Sequence, residues 1–216
     1  MLSLKPGDLK WMERTLHGLE DDVTFVYFTE EANCRHCRQE RELLEEVANL
    51  ANRLHLEVYN FVADREVAEQ YGVDKVPGVV LTGTEDYGVR YFGMPSAFEF
   101  RILLEDLIRV STGDSELKPE SRERLEKLES PVHLEVLTRP TCPFSTRAIR
   151  TVHQLAMESP LVTGDAVDLV DFPELVDRYN ILAAPTVVVN ESNRFYGALD
   201  EEEFIDEVMG ALTETE

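Results

Sequence analysis

A chain of 216 residues has room for one or two domains of ordinary size. Its 43% hydrophobic, 8% aromatic and 30% charged residues suit a buried core and not a disordered chain. The 43 acidic residues outweigh 21 basic ones and give a net charge of −22, which argues against nucleic acid and against an anionic membrane as main partners. No run of about 18 apolar residues occurs, so no transmembrane helix is expected. The opening Met1-Leu-Ser-Leu-Lys-Pro-Gly-Asp8 lacks an apolar signal core, and a cytoplasmic location is expected.

In chain order, Leu9, Met12, Leu16 and Leu19 recur at helical spacing, and Val23–Thr29 reads as a buried strand. Cys34-Arg-His-Cys37 then opens a long helix whose apolar face is Leu43, Leu44, Val47, Leu50 and Leu54. Pro77 precedes a β-rich run, Gly78–Thr82, followed by Tyr91-Phe92-Gly93 and a helical pattern from Phe98 to Val110. Ser111–Pro119, rich in Gly, Ser, Pro and acids, reads as a boundary. Pro119 suits the first turn of a new helix, with Leu125 and Leu128 on one face. Val132–Thr138 reads as a strand, and Cys142-Pro-Phe-Ser145 opens a helix with Ala148, Ile149, Val152 and Leu155 inward. Pro185, the run Thr186–Asn190, Phe195-Tyr196-Gly197 and a helical pattern from Glu203 to Leu212 complete the chain. Glu201-Glu-Glu203 reads as an acidic first helical turn.

The second set of elements repeats the first. Cys34 and Cys142 stand 108 residues apart, and so do Pro77 and Pro185. Val73 and Ile181 keep the same interval, after Tyr71-Gly72 and Tyr179-Asn180. Several ordered matches at one interval point to a duplication. The expected fold is α/β: two tandem units, 1–112 and 117–216, each running helix–strand–helix–strand–helix–strand–strand–helix around a central mixed sheet.

Three cysteines, Cys34, Cys37 and Cys142, cannot build a disulfide framework. A close Cys-x-x-Cys pair points instead to redox chemistry or to metal. Zinc usually takes four ligands, and the sequence has no second Cys-x-x-Cys or His-x-x-x-His, so no metal site is expected. His17, His55, His133 and His153 show no ligand spacing and read as surface or half-buried residues; Trp11 reads as packing. At the start of a helix, unpaired N–H groups and the helix dipole favour a thiolate at Cys34. Arg35, His36 and Arg38 add positive charge, Glu30 and Glu31 oppose it, and a lowered Cys34 pKa is expected. Cys34 would attack a substrate disulfide, and Cys37 would resolve the mixed disulfide.

Cys34-Arg-His-Cys37, Val76-Pro77, Tyr91-Phe92-Gly93 and their counterparts resemble two thioredoxin-fold units in tandem. With Leu56-Glu-Val-Tyr-Asn60, Ala68–Pro77 and Arg139-Pro-Thr-Cys-Pro143, the chain resembles the two-unit, glutaredoxin-like protein disulfide oxidoreductases of thermophilic archaea and bacteria. The resemblance implies that Pro77 and Pro185 are cis and sit beside their cysteines. It implies thiol–disulfide exchange on disulfide-containing proteins, with a redox-active disulfide and no further cofactor, and electrons from a thioredoxin-reductase-like flavoenzyme. Cys34, Cys37, His36 and Pro77 are its catalytic set, and Cys142, Ser145 and Pro185 form an accessory set.

The chain departs from that family twice. Its second unit has Cys142-Pro-Phe-Ser145 where the family usually has Cys-Pro-Tyr-Cys, so it can act only as a monothiol, for example with glutathione on Cys142, or as an accessory unit. Thioredoxins keep a buried acid six residues before the nucleophile; here that position holds Phe28, and Val136 in the second unit. Glu57 is then a candidate base, with a solvated strand-face glutamate as the plainer reading. His36, next to Cys37, would stabilise the thiolate when protonated and raise the reduction potential. Two other functions fit parts of the pattern. One is an electron carrier to a peroxidase, as in the two-unit domains of peroxiredoxin reductases. The other is a carrier resembling monothiol glutaredoxins, which share a [2Fe–2S] cluster using glutathione, although Pro143 replaces their glycine. A non-catalytic peptide-binding unit would not need the intact Cys-x-x-Cys.

Overall fold

A computed structural model of the chain describes residues 6–30, 32, 34–95 and 97–213; Glu31, weighed above as a charge near Cys34, lies outside them. The first unit is α1 (Pro6–Leu16), β1 (Val23–Thr29), α2 (Cys37–Ala48), β2 (Leu54–Asn60), α3 (Arg65–Gln70), β3 (Gly78–Thr82), β4 (Asp86–Phe92) and α4 (Ala97–Thr112). The second is α5 (Pro119–Leu125), β5 (Val132–Thr138), α6 (Ser145–Glu158), β6 (Val162–Asp168), α7 (Glu174–Arg178), β7 (Thr186–Val189), β8 (Asn193–Tyr196) and α8 (Glu201–Thr213). The element order is the one the repeat predicts, twice.

Both units share one eight-stranded sheet in the order β2-β1-β3-β4-β6-β5-β7-β8. Each unit contributes four strands, with a parallel pair and two antiparallel pairs. The join is a parallel pairing of β4 with β6, which sets Arg90 opposite Asp165 and Phe92 opposite Val167. β1 is apolar on both faces because the sheet is covered on both sides. Phe25 and Tyr27 enter the larger core with residues of α1, α2, α4, α6 and α8. Val26 and Phe28 enter a second core on the opposite face with Ala68, Leu175 and Tyr179. Alternation along the strand thus decides which side chains face the cysteines.

Several boundaries move. The helices of the two cysteine motifs begin at Cys37 and Ser145, so Cys34 and Cys142 each precede their helix by three residues. The reason is local: His36 has φ −117° and ψ 0° and caps the helix, and the first helical bond runs from Glu40 N–H to the His36 carbonyl. Leu50 packs from the turn after α2, and Leu54 opens β2. β7 ends at Val189 because Asn190 and Glu191 have φ of 47° and 55°. Pro119 is the first-turn proline expected, and Glu201 opens α8. His153 is fully buried, with Nδ1 donating to Asp106 Oδ2 at 2.6 Å, and so is not the half-buried residue expected. Trp11 is 39% exposed and packs only in part. No helix among the described residues is long and apolar enough to cross a membrane.

Candidate active site at the head of the first long helix

β1 delivers the chain to the turn that carries Cys34, and α2 carries it away from Cys37. The two cysteines are joined as a disulfide. Cys37 N–H donates to Cys34 Sγ at 3.2 Å, as the helix head directs an N–H at that sulfur. Cys34 is partly exposed and Cys37 is 3% exposed, so one sulfur can be reached from outside and the other cannot. Tyr27, on β1, donates its hydroxyl to the Cys37 carbonyl at 2.7 Å and ties strand to helix. The bonds Val76–Pro77 and Ala184–Pro185 are both cis.

The matched glycines are explained by these prolines. Gly93 N–H donates to the Pro77 carbonyl, and Gly197 N–H donates to the Pro185 carbonyl, each at 3.0 Å. Gly93 also has φ +91°, and a Cβ there would lie 2.9 Å from Asp168 Cβ and 3.0 Å from Asp171 Oδ2.

Asp168 and Asp171 belong to the second unit, and they bring it to the first unit's disulfide. His36 Nδ1 donates to Asp171 Oδ1 at 2.5 Å, and Met94 N–H donates to Asp171 Oδ2 at 3.0 Å. The Asp171 side chain is 3% exposed and that of His36 is 27% exposed. Burial, followed by the charges of Glu99 and Asp171, raises the Asp168 carboxyl to about 6. Glu99 is itself buried and accepts the Thr138 hydroxyl. Glu40, one turn beyond Cys37, is completely buried, and neither carboxylate oxygen has a hydrogen-bond partner. Its proton affinity is raised, first by burial and then by the charge of Asp171.

The structure therefore groups Cys34, Cys37 and His36, and adds Glu40, Asp168 and Asp171. Glu40 had a signal in the sequence: it is the charged residue on the inner face that holds Cys37, Leu43, Leu44 and Val47. Asp171 had none, because only the packing of the units brings it there. Glu57, the candidate base, is exposed and accepts the Tyr59 hydroxyl. Phe28 lies on the opposite face of the sheet, stacked on Tyr59 with ring centroids 5.6 Å apart.

The second motif is built alike and behaves differently. Cys142 is a free thiol that donates to the Ala184 carbonyl at 3.3 Å, beside cis-Pro185. Ser145 is fully buried and its hydroxyl has no partner. Phe144, the counterpart of His36, is 65% exposed. Beyond these motifs, His133, Glu135 and Glu191 bring ligand atoms within 4.8 Å of one another, a grouping the spacing did not reveal. It is an ion-pair network: His133 donates to Asp165 at 2.9 Å and to Glu191, while Glu135 accepts Tyr179 and sits 3.6 Å from Lys75 Nζ.

An accessible sulfur bonded to a buried one at a helix head, in a unit that also carries a cis-proline, defines a thiol–disulfide oxidoreductase site on a doubled fold. The chain belongs to the thioredoxin-domain family, whose Thioredoxin domain matches residues 27–105 and again 132–210. Among solved structures it is similar to a protein disulfide oxidoreductase from Aeropyrum pernix, at 27% identity and TM-score 0.90, covering 98% of this chain and 94% of that one. It also shares the fold of an N-terminal N/C domain of alkylhydroperoxide reductase AhpF from Enterococcus faecalis, at 22% identity and TM-score 0.87, covering 94% and 99%. A curated relative, an NADH dehydrogenase of Bacillus subtilis, is 24% identical over 172 residues, which are 80% of this chain and 31% of that protein. The chain thus spans about a third of the length of that relative.

Proposed function

We propose that the chain reduces, forms or reshuffles disulfides in other proteins, with Cys34 as nucleophile and Cys37 as resolving thiol. The observation that carries this reading is the Cys34–Cys37 disulfide with one sulfur accessible and the other buried. In the reducing direction, the Cys34 thiolate attacks one sulfur of the substrate disulfide and expels the other as a thiolate. The Cys37 thiolate then attacks Cys34 Sγ, the mixed disulfide breaks, and the second substrate sulfur leaves with the electron pair. The substrate gains two electrons and two protons, and the protein is left with the Cys34–Cys37 disulfide. cis-Pro77 flanks the site where an extended substrate segment would lie. His36, held by Asp171, tunes the pair, and a thioredoxin-reductase-like flavoenzyme would return the electrons. The site needs no cofactor beyond its disulfide, and the expected compartment is the cytoplasm, where that reductant is available.

A second reading is an electron carrier to a peroxidase. The likeness to the AhpF domain over nearly the whole chain favours it as the place where such electrons would go, without changing the chemistry at Cys34. The second unit serves as an accessory unit, with glutathione able to occupy Cys142 as a mixed disulfide. An iron–sulfur cluster at Cys142 would need a second copy of the chain and glutathione to supply its remaining thiolates.

The test is the reduction potential of the pair, measured in graded thiol/disulfide buffers with alkylation and mass spectrometry. A value near about −270 mV identifies a reductase, and one near about −180 mV or above an isomerase or oxidase. Failure of Cys34 and Cys37 to exchange at any poise overturns the reading.

A further inference from the structure

The resolving step needs a proton acceptor. Cys37 is buried, so its thiol must lose a proton inside the protein before it can attack. The strand position six residues before Cys34 holds Phe28, which faces away from the cysteines. Glu57 is exposed and engaged by Tyr59.

Glu40 stands where an acceptor is wanted. It follows Cys37 by three residues on α2, so the two side chains lie on one face of one turn. The rest of that buried face is Leu43, Leu44 and Val47, and a fourth apolar residue would satisfy packing. Instead there is a carboxyl with both oxygens buried and unpartnered. A group left so costs stability in the folded state and is a candidate for a functional role. Tyr27 and Asp171 bear on it. Tyr27 on β1 bonds the Cys37 carbonyl, and its proton affinity is raised by burial and then by the charge of Glu40. Asp171, from the loop after β6, raises that of Glu40 and holds His36. Arg41 on α2 is exposed and paired with Glu45 at 2.8 Å. A carboxyl whose proton affinity is raised by burial, and then by the charge of Asp171, is better matched to a thiol than an ordinary glutamate.

We propose that Glu40 takes up the Cys37 proton in the resolving step. This role rests on the oxidoreductase reading. The Cys37 S–H proton passes to the Glu40 carboxylate. The Cys37 thiolate attacks Cys34 Sγ, the Cys34–Cys37 bond forms and the bond from Cys34 to the substrate sulfur breaks. The substrate leaves as a thiolate and is protonated from solvent, and Glu40 returns its proton to solvent before the next cycle.

The experiment uses the full reduced chain and glutathione disulfide, with acid quenching and mass spectrometry to follow the Cys34–glutathione adduct and its resolution separately. In E40Q, adduct formation should stay within about twofold of the natural chain, while resolution at pH 7 slows about 10²-fold, the lower end for a general base. That deficit should shrink about tenfold per pH unit as the free thiolate fraction grows. E40D should restore most of the rate. Resolution rates and pH profiles that superimpose for E40Q and the natural chain would overturn the proposal. Absence of any Cys34 adduct in the natural chain would instead overturn the oxidoreductase reading. If E40Q does not fold, E40L, which matches the apolar face of α2, takes its place in the same assay. Slowed resolution with unchanged adduct formation is expected, and resolution rates that superimpose on those of the natural chain overturn the proposal.

Discussion

The two cysteine motifs share a scaffold and differ in what the scaffold does. In each, a central strand leads to a cysteine three residues ahead of a helix, and a cis-proline follows at the same interval. In the first, the helix head presents a second sulfur and an N–H to Cys34. In the second it presents Ser145, buried and without a partner, and the Cys142 thiol turns to the Ala184 carbonyl instead. The spacers differ as well: His36 is held by an acid of the other unit, whereas Phe144 is exposed. The fold supplies position and the side chain three residues on supplies the chemistry. A duplicated unit can therefore lack the dithiol pair while still furnishing a residue, Asp171, to the unit that has it.

The largest test of this difference is a pair of single replacements. Cys34→Ser should lower dithiothreitol-driven reduction of a disulfide-bonded protein by at least about 10³-fold, toward the uncatalysed rate, because the nucleophile is gone. Cys142→Ser should leave the same rate within about twofold. Equal losses would mean that the motifs share the work. The comparison can also be broken in the other direction. Ser145 occupies the helix position that Cys37 occupies in the first unit. Ser145→Cys should therefore form a second disulfide, and oxidised protein should titrate with no free thiol where the natural chain shows Cys142 free.

His36→Ala sharpens the comparison at the spacer. With the imidazole gone, the reduced pair loses a group that stabilises its thiolate. The potential should fall by about 30 mV, a tenfold change in the exchange constant for a two-electron couple. Phe144→Ala should leave that potential where it is. A rise on removing His36 would show that its partner Asp171, not the imidazole, dominates the field at the sulfurs.

Most of this organisation was legible in the sequence, and the exceptions have a physical pattern. Strand periodicity, the helical apolar faces and the 108-residue interval are local or repeated signals, and they set the element order of both units. The glycines after Tyr91-Phe92 and Phe195-Tyr196 belonged to the same signal, and the structure shows each bonding its proline's carbonyl. The helix starts were placed three residues early because capping depends on the dihedrals of His36, which composition does not report. Asp171 and Asp168 were invisible because their role arises where β4 meets β6 across the two units, far apart in sequence. His133 and Asp165 were missed for a related reason: they meet across the parallel β5–β6 pair, whose register no motif encodes.

That last pair gives the smallest effect and separates the units by pH. His133 lies between Asp165 and Glu191. Burial opposes its charge, but the bond and charge of Asp165, the bond to Glu191 and the charge of Glu135 outweigh it and raise its pKa to about 9. Asp165 is lowered in turn by His133, although its own burial acts against this. In the first unit, Thr24 fills the corresponding strand position, so that unit has no such titration. Because the folded His133 pKa lies above the unfolded value near 6.5, its contribution is complete below about pH 6.5 and is lost as pH rises through about 9. Glu191 is exposed and a third of the His133 side chain meets solvent, so screening holds the contribution to about 1 kcal/mol. Urea unfolding of the natural chain should therefore weaken by about that amount between pH 6.5 and 9.5, and His133→Gln should flatten the slope over that window. A slope that survives His133→Gln would place the titrating group elsewhere and remove this distinction between the units.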